Sequence, residues 1–297
     1  MNHRLLHTTQ SPAVAELRPP LGCARGATAE GPDLMTPAPL LVSAIIPTLN
    51  EAANLPHVLT RIPACVGEVI IVDANSTDDT MAVARALMPD VRIVLQCGRG
   101  KGNALAAGFA AARGDIIVML DADGSTDPAE IPRFLDPLLD GADFVKGTRF
   151  GYGGASADIT PLRRFGNRML VGLVNVLFGT EYTDLCYGYS AFWSDCLDEL
   201  HVDCDGFEVE TLLNVRSARA GMRIVEVPSV EHERIHGTGN LNAARDGMRV
   251  LRTIVRERLR RGRFATADWR PTFAEIQPDL SPWRGLEQVG RREQVAV

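Results

Sequence analysis

The chain has 297 residues, of which 45% are hydrophobic and 23% are charged, so it is long enough to bury a large core in one main domain. Its net charge of -6 argues against general binding to nucleic acids, and its six cysteines show no CxxC pairing that would indicate a zinc site or a redox motif. No apolar run reaches the roughly 18 residues of a membrane-spanning helix, and no secretory signal is evident, so a cytoplasmic protein with reduced thiols is expected.

The N-terminal third of the chain predicts alternating strands and helices. Residues 1–39 mix Pro, Gly, Thr and Ala without apolar periodicity, which predicts a disordered leader. A buried strand over residues 40–47 follows, and Asn50 is predicted to cap the next helix. A second strand over 68–73 ends in a polar turn before a helix over 80–87. This succession of strand, polar turn and helix is typical of a doubly wound sheet.

A glycine-rich turn follows the third predicted strand, residues 91–95, and precedes an alanine-rich helix over 104–112. The turn reads GRGKGN at residues 98–103. Glycines at a helix start let the backbone approach a phosphate, and Arg99 or Lys101 would supply positive charge. The spacing is not that of a Walker motif, so a tight surface turn is the alternative.

The chain is organised around the fourth strand, residues 116–120, because it ends in Asp121-Ala122-Asp123. Side chains alternate along a strand, so the two carboxylates are expected to point the same way. Ligands of open α/β sheets bind beyond the carboxyl ends of the strands. A divalent cation that prefers oxygen, Mg²⁺ or Mn²⁺, would make the acidic pair favourable, with phosphate oxygens completing its shell. The alternative is that both acids only end the strand and cap the next turn.

Asp127 and the following proline are predicted to start a helix over residues 129–139. A strand over 143–149 then ends in Arg149, which is a candidate to pair with phosphate, although a solvated arginine is the simpler interpretation of that residue alone.

Residues 151–189 differ in composition from the preceding strands and helices. Glycine-rich residues 151–159 are predicted to be mobile, and a helix over 162–178 is predicted to end at Gly179. Arginines beside apolar residues in that helix are typical of a membrane-surface helix and also of an ordinary core helix. Residues 183–189 are polar, aromatic and interrupted by glycine, which indicates a site loop.

The C-terminal third predicts a helix over residues 205–220, with Glu208 and Glu210 placed where acids suit the helix dipole. A last strand over 222–227 is followed by a loop that contains Arg234.

Residues 243–261 combine an apolar stripe with many arginines, so this predicted helix either contacts anionic lipid headgroups or packs on the domain with a solvated face. Residues 262–297 lack periodicity and are predicted to be a loosely ordered tail.

Taken together, five segments resemble the family 2 glycosyltransferases of GT-A fold. They read AIIPTLNE at 44–51, VDANSTD at 72–78, GKGNA at 100–104, LDAD at 120–123 and GTRF at 147–150. Within that family, the pattern is most similar to the dolichol-phosphate and polyprenol-phosphate mannosyltransferases. The resemblance covers about residues 40–260 and implies an α/β fold in which helices flank a Rossmann-like, mostly parallel sheet. The expected catalytic domain spans 40–261 and ends with the basic amphipathic helix.

The resemblance also implies roles for individual residues. Those expected to line the nucleotide-sugar site are Pro47, Asn50, Glu51, Asp73, Ser76, Asp78, Lys101, Asp121, Ala122 and Asp123. Asp121 and Asp123 would hold Mg²⁺ or Mn²⁺, Arg149 would neutralise a phosphate of the donor or acceptor, Asp184 would be catalytic, and Arg234 would bind the acceptor. One departure concerns the metal, because Ser125 stands where the mannosyltransferases commonly have a glutamine.

The resemblance implies inverting transfer of a hexose, mannose or glucose, from a donor of the GDP-mannose or UDP-glucose type. The expected acceptor is polyprenyl phosphate at the cytoplasmic face of the membrane, which the protein would contact peripherally. A soluble hydroxyl acceptor is the alternative, and it would require a carboxylate base, Asp184 or Glu210. A non-catalytic nucleotide-binding protein is the third hypothesis.

Overall fold

The computed structural model describes residues 39–239, 242–260 and 273–276, so the predicted leader and most of the predicted tail lie outside the described residues. The strands are β1 (Val42–Thr48), β2 (Glu68–Asp73), β3 (Arg92–Gln96), β4 (Ile116–Met119), β5 (Phe144–Thr148), β6 (Ala155–Ser156), β7 (Ser190–Trp193), β8 (Ile224–Pro228), β9 (Val230–Glu231) and β10 (Phe273–Ile276). The α-helices are α1 (Leu55–Leu59), α2 (Thr80–Leu87), α3 (Gly100–Ala111), α4 (Ile131–Leu139), α5 (Pro161–Phe178), α6 (Leu197–Leu200), α7 (Val209–Ala220) and α8 (Ala243–Leu259).

The main sheet has eight strands in the order β10-β3-β2-β1-β4-β7-β5-β8. Strands β3, β2, β1 and β4 are mutually parallel, and β5 is parallel to β8. Strand β7 lies antiparallel between β4 and β5, and β10 is antiparallel to β3. A separate pair joins β6 to β9. The mostly parallel α/β architecture predicted from the sequence is therefore confirmed.

Helices cover both faces of this sheet, which explains why its central strands are continuous apolar runs. On one face, Ala44 and Ile46 pack with side chains of α1, α2 and α4. On the other face, Ile45 packs with α3 and α7. A third cluster joins α5 and α8 through Val174 and Ile254. In the described ranges, none of the helices has the length and the apolar character that crossing a bilayer demands.

Helix α3 begins at Gly100, four residues before the predicted start. The glycines of this turn accommodate a neighbouring segment of backbone. A Cβ atom on Gly100 would lie 2.1 Å from the carbonyl oxygen of Asp205, and one on Gly102 would lie 2.2 Å from that of Cys204. The Gly102 N–H already donates to the Asp205 carbonyl at 2.9 Å. The interpretation of these glycines as a phosphate cradle is therefore wrong for Gly102, whose donor is occupied.

Other local predictions have mixed outcomes. Gly179 has φ of +67° at the end of α5, so this predicted cap is confirmed. Asp127 accepts a hydrogen bond from the Ala129 N–H at 2.9 Å, but it caps a short 3-10 helix, Pro128–Glu130, that precedes α4. Asn50 is not a cap, because it has φ of +57° and α1 starts only at Leu55. Strands β6, β7, β9 and β10 were not predicted, and they have only two to four residues each.

Candidate active site

The acidic pair Asp121 and Asp123 follows β4 at the carboxyl edge of the parallel strands. Because β7 runs antiparallel beside β4, the loop that precedes β7 arrives at this same edge. Gly188 in that loop lies so close that a Cβ atom there would be 2.7 Å from Asp121 Oδ2. Ala122 is buried in the core between the two acids. The half-buried Pro47 of the neighbouring β1 precedes another loop at this edge.

Asp121 is paired with Lys101 from the first turn of α3. The Lys101 Nζ atom lies 2.5 Å from Asp121 Oδ1 and 2.7 Å from Glu210 Oε1 on α7. Burial by itself lowers the pKa of Lys101, but the two carboxylates outweigh it and hold that pKa above its ordinary value. Burial raises the pKa of Glu210, although Lys101 opposes the shift. The three residues form one charge cluster, half-buried at Asp121 and Lys101 and buried at Glu210, that joins α3, the end of β4 and α7.

Asp123 is paired with Arg234 from the loop after β9. Arg234 Nη2 lies 3.0 Å from Asp123 Oδ2, and Nη1 lies 2.9 Å from Glu51 Oε1. The Ile235 N–H donates to the Asp123 carbonyl at 3.2 Å, so the loop is also held by its backbone. Burial lowers the pKa of Arg234, but Asp123 and Glu51 outweigh it and hold that pKa above its ordinary value. Each acid of the pair therefore forms an ion pair with a basic side chain of the same chain.

The chemistry of this donor set fits a magnesium or manganese ion. In the part of the chain that the structure describes, no group of three or more His, Cys, Asp and Glu residues could hold a metal. Mg²⁺ is commonly bound by one or two carboxylates together with waters and substrate phosphates, which is what two carboxylates at a ligand edge offer. Ser125 contributes through its backbone, because its N–H donates to Asp123 Oδ1 at 3.0 Å and orients that carboxylate.

The predicted nucleotide residues of the first two loops form a hydrogen-bonded unit. Asp73 is fully buried and accepts hydrogen bonds from the Ser76 N–H and hydroxyl, both at 2.7 Å. The Asn50 N–H donates to Ser76 Oγ at 2.8 Å, and Asn50 Oδ1 accepts from the Thr77 N–H at 2.8 Å. Burial raises the pKa of Asp78, but hydrogen bonds from Thr80 and Ala52 outweigh it and keep that pKa below its ordinary value. The contact of Asp73 with a base or ribose stays a prediction, since its carboxylate positions the loop here.

Arg149 and Asp184 lie together away from solvent. Arg149 Nε is 2.7 Å from Asp184 Oδ2 and Nη2 is 2.9 Å from Oδ1, while Nη1 lies 3.1 Å from Glu231 Oε1. The side chains of Arg149 and Asp184 are only 2% and 0% exposed. Burial by itself raises the pKa of Asp184, but Arg149 outweighs it and holds that pKa below its ordinary value. In this arrangement Arg149 does not present its guanidinium to a phosphate, and Asp184 is a poor general base.

A surface cavity of about 600 Å³ lies beside the turn that follows Asp123. Its walls come from α1, from residues 124–128 and from the loop after β9, with His57, Gly124 and Ile235 among the lining residues. Gly124 adopts φ of +79°, and a Cβ atom there would lie 2.5 Å from the Ile235 side chain, so glycine allows the two loops to meet. Neither acid of the pair lines this cavity, which opens beside the turn that follows them.

Comparison with known proteins identifies similar sequences and folds. The family model described as glycosyl transferase family 2 matches residues 43–200. The undecaprenyl-phosphate mannosyltransferase of Micrococcus luteus is 34% identical over 71% of this chain and 91% of its own length. The polyprenol monophosphomannose synthase of Mycolicibacterium smegmatis is 33% identical over 74% of this chain and 89% of its own. The glucosyl-3-phosphoglycerate synthase of Mycobacterium tuberculosis, solved with Mn²⁺, UDP-glucose and phosphoglyceric acid, has a TM-score of 0.61 and 27% identity, covering 74% of this chain and 80% of that one.

Proposed function

Because the chain belongs to glycosyl transferase family 2 and is a glycosyltransferase, we propose that it moves a hexose from a nucleoside diphosphate sugar to polyprenyl phosphate. The donor would be of the GDP-mannose or UDP-glucose type. The observation that most directly supports a diphosphate donor is the pair Asp121 and Asp123 at the carboxyl edge of the sheet, each paired with one basic side chain. Two relatives that match most of this chain are named for undecaprenyl phosphate and for polyprenol monophosphomannose, which supports the acceptor.

Asp121 and Asp123 would hold Mg²⁺ or Mn²⁺, which supplies positive charge against the negative charge that develops on the leaving diphosphate. Lys101 and Arg234 would then exchange their carboxylate partners for diphosphate oxygens, because both cations are already placed beside the acidic pair. Glu210 would keep Lys101 in place through the exchange. A lipid phosphate is ionised at neutral pH, so attack on the anomeric carbon with inversion needs no protein base.

Loop positions complete the proposal. Asn50, Ser76 and Asp78 tie the loops after β1 and β2 together, and these loops would form the wall for the nucleoside. Arg149 would act as a positioning residue that holds the 183–189 loop and the loop after β9 through Asp184 and Glu231. Direct contact of Arg149 with a phosphate would require this buried network to open.

A second function is favoured by the similarity to the synthase solved with phosphoglyceric acid. Transfer to a hydroxyl of a small phosphorylated acceptor would require a general base. Glu210 is the better candidate, because burial raises its pKa, whereas Arg149 holds the pKa of Asp184 below its ordinary value. A raised pKa suits a general base.

The test is a transfer assay with radiolabelled GDP-mannose and UDP-glucose, Mn²⁺, and either undecaprenyl phosphate or 3-phosphoglycerate. The proposal predicts an organic-extractable, mild-acid-labile product with the lipid. Asp121→Asn and Asp123→Asn should lower that yield by about 100-fold or more, because the charge on the leaving group is no longer offset. Asp158→Asn is the matched control, since that carboxylate is exposed and pairs only with Arg163 among the ion pairs described. A product with 3-phosphoglycerate and none with undecaprenyl phosphate would refute the lipid acceptor. Full activity of both acidic-pair variants would refute the metal assignment.

A further inference from the structure

Helix α5 exposes apolar side chains along its outer side. Leu162, Phe165, Met169, Gly172 and Val176 follow one another at alternating spacings of three and four residues, which places them in one stripe, called here the outer stripe. The large members are well exposed, with Leu162 at 71%, Phe165 at 64%, Met169 at 60% and Val176 at 83%. A surface helix ordinarily presents a polar face to water. The outer stripe is therefore an apolar face without a partner in the described residues.

The charges that α5 and α8 themselves expose have one sign, while an exposed acid just before α5, Asp158, pairs with Arg163 at 2.9 Å. Within its 18 residues α5 contains three arginines and no acidic residue. The neighbouring α8 shares a buried cluster with α5, and its exposed arginines are Arg245, Arg249, Arg252, Arg256 and Arg258. The two acids of α8, Asp246 and Glu257, are buried. The outward surface of the two helices thus combines exposed apolar side chains with arginines and shows no exposed carboxylate.

We propose that the outer stripe and the arginines beside it dock this protein on an anionic lipid bilayer, with the apolar side chains at the boundary between headgroups and acyl chains. Apolar side chains combined with a basic flank bind such surfaces through buried area and attraction to anionic lipids. A second copy of the chain fits less well, because in a two-fold dimer the outer stripe would meet itself. Arginines would then face arginines, with no exposed acid on α5 or α8 to compensate.

Helix α5 is connected to the site through Arg164, which lies next to the outer stripe in the sequence. The guanidinium of Arg164 lies 5.2 Å from the centre of the Phe150 ring, and that of Arg149 lies 5.4 Å from the same ring. Arg149 in turn pairs with Glu231, from which the chain continues to Arg234 beside the acidic pair. A bilayer under α5 would therefore bring the lipid acceptor to the side of the domain that these contacts link to the site. This part of the inference rests on the proposed function.

The experiment is co-sedimentation of the full chain with vesicles of phosphatidylcholine, with and without phosphatidylglycerol. The test variant is Phe165→Ser with Met169→Ser. Leu139→Ser is the matched control, because Leu139 on α4 is 59% exposed, close to the 60% of Met169. We expect binding of the wild type that requires phosphatidylglycerol and weakens with salt, because surface attraction is screened. The double variant should bind at least about tenfold more weakly, since two large apolar side chains no longer leave water, and Leu139→Ser should bind like the wild type.

Several outcomes would overturn the docking proposal. They are absence of wild-type binding to the anionic vesicles, equal binding of the double variant and the wild type, or a wild-type dimer that the double variant abolishes without any vesicle binding. A circular dichroism melt establishes that each variant is folded.

Transfer to undecaprenyl phosphate in detergent separates the two proposals. If the docking face is correct, the double variant keeps its rate in detergent and loses it on vesicles. A wild type that binds vesicles but transfers to no lipid phosphate would refute the proposed function and leave the docking face intact.

Discussion

The buried position of Arg149 allows a quantitative test. Replacing Arg149 with Met removes the guanidinium that bridges Asp184 and Glu231 but keeps a side chain of similar length. The Asp184 side chain is 0% exposed and would retain a charge without its main partner. Removing one partner of a buried ion pair typically costs about 3–5 kcal/mol, which is a large part of the stability of a domain. We therefore expect the free energy of unfolding to fall by at least about 3 kcal/mol.

Arg163→Met provides the matched comparison. Arg163 pairs with Asp158 at 2.9 Å, but these side chains are 27% and 45% exposed. An exposed pair contributes about 0–1 kcal/mol, so this variant should unfold almost like the wild type. Urea titrations followed by circular dichroism measure both changes, and an unchanged slope with urea would establish that the folded and unfolded states are comparable.

The double variant Arg149→Met with Asp184→Leu separates charge from packing. It removes the orphan carboxylate, so part of the lost stability should return. If Arg149→Met instead unfolds like Arg163→Met while its transfer rate collapses, the guanidinium is available to substrate. The buried network would then be the wrong account of Arg149.

Three further predictions concern other parts of the domain. Gly188→Ala should lower the transfer rate by about 100-fold, because the new Cβ atom would lie 2.7 Å from Asp121 Oδ2. In the control Gly172→Ala the new Cβ atom would have no atom within 4 Å among the described residues, so this variant should keep the rate and add about 0.5–1 kcal/mol of stability. The pKa of Asp184 in the folded state lies below its ordinary 3.8, so this carboxylate stabilises the fold fully above that value and loses the effect as the pH falls through the depressed pKa. Urea titrations below about pH 5 should show the loss of stability, and Arg149→Met should show a smaller loss. Burial raises the pKa of Cys186 to about 12, so a disulfide reagent at neutral pH should label the exposed Cys97 and reach Cys186 only on unfolding.

Much of the fold could be predicted because burial on both faces leaves a simple signal. Strands β1, β2 and β4 are apolar runs, and the polar residues that follow them mark one edge of a parallel sheet. Strand β7 gave no comparable signal, since four residues are too few to show a pattern and a polar, aromatic loop precedes them. Its antiparallel direction is nevertheless what brings Gly188 to the acidic pair.

The site was predictable in its acids and less so in its partners. Asp121 and Asp123 are separated by a single residue in the sequence, whereas Lys101 and Glu210 are brought together only by the packing of α3 against α7. The sequence around an arginine at the end of a strand does not show whether its side chain faces water or a buried carboxylate. In this structure Arg149 faces Asp184. Glycine patterns are ambiguous in the same way, because a neighbouring backbone segment that packs closely needs a residue without a side chain as much as a bound phosphate does.

Strand β10 covers β3 and ends the main sheet with a short strand of four residues. It pairs antiparallel with β3, and Glu275 Oε1 lies 2.8 Å from Nε of Arg92 on that strand. An uncovered β-strand presents a row of free donors and acceptors on which another molecule can add a strand. A recombinant version that stops before residue 273 would leave β3 open in this way. Aggregation of such a shortened protein would reflect the lost border strand and carry no information about catalysis.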